Sequence, residues 1–176
     1  MKPFPSYRTA AILYTLFIFS LGIFALPLAN LLFGGDSIYH RLFPLLCLLF
    51  AAILLVLLWK NRKQMTPLKW MAMALMISVY ALFYYNLDVR LEEIHLINFA
   101  VLAILFKKAF ESSRHPGQAY WKAIALAMLV GGLDEWIQLF IPGRFAQWHD
   151  VGLCFLGAAL GTLLCWIFRA PSSLQR

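Results

Sequence analysis

The run Tyr120-Trp121-Lys122-Ala123-Ile124-Ala125-Leu126-Ala127-Met128-Leu129-Val130-Gly131-Gly132-Leu133-Asp134-Glu135-Trp136-Ile137-Gln138-Leu139-Phe140-Ile141 decides the fold class. Only four strongly polar side chains interrupt it, Lys122, Asp134, Glu135 and Gln138. At about 1.5 Å rise per residue, a helix of this length spans the roughly 30 Å hydrocarbon core of a bilayer. Lipid offers the backbone no water, so only helices and closed barrels cross it, and the run lacks the alternation of a barrel strand. Ala123, Ala127, Gly131 and Glu135 recur every four residues, forming a small-residue stripe on which a neighbouring helix can pack closely.

Five similar runs surround this one. They are Ala10–Phe33, Leu42–Trp59, Leu68–Leu87, Leu91–Phe110 and Asp150–Phe168. The first resembles a signal peptide but is about twice the usual length of the apolar core of one, so it reads as a membrane helix, bent at Gly22 and Pro27. The second is the shortest. Thr66-Pro67 reads as an N-cap followed by proline at the first helical position, where its missing N–H is no loss. The expected fold is all-α: one integral membrane domain over 1–176, a polytopic transmembrane bundle of about six helices.

Composition agrees. The chain is 62% hydrophobic and 13% charged, with a mean hydropathy of +0.76. A water-soluble domain of this size would expose apolar surface unfavourably. The formal charge of +7 does not require a nucleic-acid partner, because topology accounts for it. With the N-terminus inside, twelve basic residues (Lys2, Arg8, Lys60, Arg62, Lys63, Lys69, Lys107, Lys108, Arg114, Lys122, Arg169 and Arg176) fall on the inner side. Arg41, Arg90 and Arg144 fall outside. This positive-inside bias places both termini in the cytoplasm. Cys47, Cys154 and Cys165 lie within apolar runs without metal-ligand spacing, so neither a disulfide, a metal nor any other cofactor is expected.

Seven of the eight acids fall on the outer side, Glu111 being the exception. Asp134 and Glu135 stand out, since they lie near the C-terminal end of their helix, where the dipole disfavours anions. If the helix ran to Ile141 they would sit about 10 Å below its end, a depth at which an acid faces the bundle interior or a wet cavity. Gln138 is close to them in helical projection. On the sixth helix Asp150, Cys154, Gly157 and Gly161 share a face, and packing through the two small-residue stripes would bring helices five and six together. On the fourth, Glu92, His95, Phe99 and Ala103 share another. Capping accounts equally well for Asp150, Glu92 and Glu93, which lie in first helical turns. Arg144 reads as an interfacial anchor, an ion-pair partner or a donor fork for an anionic ligand. The candidate ligand-binding set is Glu92, His95, Asp134, Glu135, Gln138, Arg144 and Asp150.

The segment Leu133-Asp134-Glu135-Trp136-Ile137-Gln138-Leu139-Phe140-Ile141-Pro142-Gly143-Arg144, with Trp148, Asp150-Val151 and Gly157-Ala158-Ala159-Leu160-Gly161, resembles the VanZ-like family of bacterial membrane proteins. Leu91-Glu92-Glu93-Ile94-His95-Leu96, with Phe99 and Leu102, resembles that family's glutamate-x-x-histidine segment. The likeness covers Asp88–Cys165, the VanZ-like segment at 88–165. Cys154 departs from a common asparagine, Asn98 from a glutamate and Phe99 from a tyrosine. The resemblance implies a multi-pass protein of the bacterial cytoplasmic membrane with an envelope-related role, since the founding member gives low-level teicoplanin resistance.

Two functions follow. One is a non-enzymatic protein in the lipid bilayer whose outer pocket recognises an envelope lipid, a cell-wall precursor or a glycopeptide. The other is an intramembrane enzyme with Glu135 and His95 as acid and base. A purely structural polar cluster is the alternative to both. No nucleophile elbow, phosphate-cradling loop, internal repeat or pair of broken helices marks the sequence as a known hydrolase or transporter.

Overall fold

The computed structural model describes residues 6–33, 37–86, 92–111, 116–141 and 147–169, leaving aside the side chains of 25–33, 37–47, 50, 83–86, 92–94 and 116. The described residues form six α-helices and one 3-10 turn, with no strand among them. The helices are α1 (Tyr7–Phe33), α2 (Ser37–Asn61), α3 (Pro67–Asn86), α4 (Glu92–Ala109), α5 (Pro116–Gln138) and α6 (Trp148–Ile167). The turn at Arg62–Gln64 follows α2. The expected all-α fold and helix count agree with this architecture.

Helix boundaries refine the sequence reading. α2 extends over 25 residues, longer than the Leu42–Trp59 run. α3 begins at Pro67, and Thr66 Oγ1 accepts a long 3.4 Å bond from the Lys69 N–H, consistent with the expected cap. α5 starts earlier and stops at Gln138, where the Phe140 and Ile141 N–H groups turn back onto the Ile137 and Gln138 carbonyls. Proline at 142 disfavours helical backbone at the residue before it, which explains the early stop. Asp134 and Glu135 therefore lie about 5–6 Å from the helix end rather than the expected 10 Å. Among the described residues, two helical stretches are long and apolar enough to cross a membrane, Tyr7–Phe24 and Trp148–Ile167.

The packing centre is α4, α5 and α6, with α1 laid against α4 and α5. Phe99, Leu102 and Ala103 of α4, Ala127 and Val130 of α5, and Cys154 and Ala158 of α6 form the main core with Ile18 of α1. A second core joins Met73 and Met76 of α3 to Ile167 at the end of α6. The most intimate contact is between α4 and α6, and glycine explains it. A β-carbon on Gly157 would collide with the Leu96 carbonyl, and one on Gly161 with the Ala100 carbonyl. The glycine pair of α6 thus faces α4, correcting the expectation that it meets the α5 stripe. The α5 stripe is buried as expected, with Ala123, Ala127 and Glu135 all inside. A β-carbon on Gly131 would stand 2.8 Å from Cys154 Cβ and 3.3 Å from Phe99 Cε1, so this stripe receives α6 and α4 together.

Successive helices in the α4–α6 core run antiparallel, which segregates charge. Lys107, Lys108, Tyr120, Cys165 and Arg169 gather at one end. His95, Asp134, Glu135 and Asp150 lie toward the other. Large apolar side chains on α1, α2 and α3, including Leu16, Leu55, Met71 and Leu75, are more than half exposed.

Candidate functional site

α4 and α5 bring three potential ligand groups together. His95, Asp134 and Glu135 each offer one donor atom, and the three atoms lie within 4.8 Å of one another. Asp134 and Glu135 are buried, with 3% and 4% exposure. Gln138, one turn on and equally buried, ties them together. Its Nε2 donates to Asp134 Oδ2 and to Glu135 Oε1, each at 3.2 Å. The Gln147 backbone N–H donates to Glu135 Oε2 at 3.0 Å.

That last bond answers the dipole objection. Gln147 is the N-cap residue of α6, so the carboxylate at the unfavourable C-terminal end of α5 meets the electropositive start of the next helix. Helix N-termini stabilise anions through their unpaired N–H groups and dipole. The acid is held by the antiparallel pairing of the two helices.

The walls are equally specific. Cys154 Sγ lies 3.8 Å from His95 Nδ1, so the position departing from the family's asparagine keeps a polar contact with the histidine. Phe99 stacks on the His95 ring at 6.1 Å between centroids. On the α1 side, Tyr14 Oη donates to Asn98 Oδ1 at 3.1 Å, so the asparagine at the second departure is also hydrogen-bonded. Gly22 of α1 lies directly against the Asp134 carboxylate. α1 therefore closes the site, which its bland sequence did not reveal.

Asp150 is buried in the first turn of α6, 3.9 Å from His149 Nδ1, with Cys154 one turn further along the same face. Thus His95, Asp134, Glu135 and Gln138 converge directly, and Asp150 stands above Cys154 beside them. The side chain of Glu92 and all of Arg144 lie outside the described residues. Sequence reasoning missed Gln147, Tyr14 and Gly22 as contributors, and named Asn98 only as a departure from a common glutamate. The adjacency of Gln147 to the Trp148-His149-Asp150 helix start was the available signal for the first.

Chemically, two carboxylates and an imidazole can accept from a polyhydroxyl or ammonium group, exchange a proton, or hold a hard divalent cation. For the last, three donor atoms within 4.8 Å of one another are compatible with ligand distances of about 2.0–2.6 Å around one ion.

Six α-helices and no strand among the described residues, with two buried acids beside a half-buried histidine and braced by a glutamine, are the class this fold and site define. The VanZ/LLP1 family model matches residues 11–169, and the chain belongs to that family. The match reaches α1 through α3, well beyond the Asp88–Cys165 resemblance. No curated protein and no solved structure matches the chain.

Proposed function

We propose that the chain is a multi-pass protein of the bacterial cytoplasmic membrane, with both termini cytoplasmic, whose outward-facing pocket recognises the polar head of an envelope lipid or cell-wall precursor. The observation that carries this reading is the convergence of half-buried His95 with the buried Asp134, Glu135 and Gln138 at the end of the bundle opposite the basic one. Acids this deep in a membrane helix mark a site when they face the bundle interior.

Support for the membrane setting comes from the exposed girdle. Leu16, Leu55, Met71 and Leu75 stand outward, and apolar surface of this extent is unfavourable in water. Trp59, Trp70 and Trp121 stand exposed toward the basic end, while Trp136 and Trp148 stand exposed toward the acidic end. This is the arrangement of two interfacial aromatic belts. Within the pocket, the Glu135 and Asp134 carboxylates and the His95 imidazole form a polar surface suited to hydroxyl or ammonium groups. Arg144, six residues beyond the α5 terminus in sequence, would add a cationic fork for an anionic head group.

The test is an envelope response, such as a change in teicoplanin susceptibility on expression of the chain in a bacterial host. Glu135→Gln and Arg144→Ala should abolish the response while the protein remains in the membrane fraction at its normal level. A response unchanged in both variants refutes the reading.

A further inference from the structure

The opposite end of the bundle holds a cavity of about 550 Å3 between α2, α4, α5 and α6. Its polar lining is Lys107, Lys108, Arg169 and Glu111. Leu57, Ile104, Leu164 and Phe168 supply apolar walls. We propose that this cavity binds the phosphate-bearing head group of an anionic phospholipid.

Charge makes the first argument. Three cations share one carboxylate, a surplus of two positive charges in the lining. Glu111 bridges the lysines, with Oε1 2.7 Å from Lys107 Nζ and Oε2 3.1 Å from Lys108 Nζ. An ammonium has three donors, so each lysine retains hydrogen-bonding capacity beyond Glu111.

Preorganisation makes the second. Lys107 is only 5% exposed, which is rare for lysine, and its Nζ lies 5.4 Å from the centre of the Tyr120 ring. The Tyr120 hydroxyl is buried beside it without a hydrogen-bond partner among the described residues. Lys69 Nζ donates to the Arg169 carbonyl at 2.9 Å, fixing the backbone from which the third cation extends. A head-group phosphate entering here meets cations already held in place, while its acyl chains continue along the apolar walls. Basic pockets between helices at the cytoplasmic face are suited to anionic head groups. This proposal rests on the membrane reading but not on the acid–histidine pocket.

Native mass spectrometry of the full chain in a neutral detergent tests it, with phosphatidylglycerol, phosphatidylcholine or inorganic phosphate added separately. Phosphatidylglycerol should form a one-to-one adduct at roughly tenfold lower concentration than phosphatidylcholine. Arg169→Gln, at the rim, and Lys107→Gln/Lys108→Gln should each weaken that adduct, by about fivefold per removed cation. The rim variant removes no buried ion pair, so it remains informative if the double variant fails to fold. Lys122→Gln, on an exposed lysine outside the cavity, should leave the adduct unchanged. Equal retention of the two lipids, or full retention in Arg169→Gln, overturns the proposal. Binding of inorganic phosphate without preference for phosphatidylglycerol overturns the lipid as its source. Glu135→Gln should retain the adduct, which separates failure here from failure of the acid–histidine site.

Discussion

Gly22 of α1 and Asp134 of α5 compete for one space: a β-carbon on Gly22 would lie 2.7 Å from Asp134 Oδ1. The carboxylate thus rests against bare backbone, and its position depends on a helix more than a hundred residues away in sequence.

Gly22→Ala should push the Asp134 carboxylate off Gln138 and destabilise the protein by about 1 kcal/mol, the worth of an ordinary hydrogen bond. Gly22→Val should do more. Thermal unfolding in detergent reads both, and an unchanged midpoint for Gly22→Val would show that α1 yields instead.

The glycines divide into two groups. Gly157→Ala and Gly161→Ala press a methyl onto the Leu96 and Ala100 carbonyls, which cannot rotate away as side chains do. Overpacking of this kind costs about 1–3 kcal/mol or more. Gly132 and Gly152 have nothing within 4 Å of a β-carbon. Alanine at either should be neutral or stabilising by up to about 1 kcal/mol, from helix propensity. Midpoints of the four variants, ranked together, check the assignment of α6 against α4.

This contrast shows how far the sequence could be read. A four-residue spacing fixes which residues share a face, so the buried stripes of α5 and α6 were legible. It does not say which helix a face meets, and Gly157 and Gly161 met α4. The acids were legible because Asp134 and Glu135 violate the dipole rule locally. Their relief was not, because the Gln147 N–H arrives from the next helix and Gly22 from the first. Contacts across long chain separations leave no periodic trace.

Gln138 donates to both site carboxylates. Gln138→Ala should destabilise by about 1–3 kcal/mol, because buried acceptors lose their donor. Gln138→Glu should be worse, since it adds a third acid at the same place. A chemical-denaturation series gives the order, and equal stability of the two variants would contradict it.

Glu111 should confer a pH dependence of the opposite end. The Lys107 hydrogen bond holds its carboxyl below the ordinary value of 4.5, burial opposing and Lys108 reinforcing the effect. A carboxyl lowered by folding stabilises the protein fully above its ordinary value, and that contribution is lost as pH falls through the folded-state value. The unfolding midpoints of wild type and Glu111→Gln should differ at neutral pH and converge in acid. A gap that persists at low pH would assign the stabilisation to packing.

The glycine contact between α4 and α6 has a mechanical meaning. At Gly157 and Gly161 no side chain separates the two backbones, so the pair is stiffest against sliding there and moves as one rod. That rod carries His95 and Cys154 near one tip, and Lys107 and Cys165 near the other. Tilting it about its middle would displace both tips in opposite directions, as the two arms of a lever move.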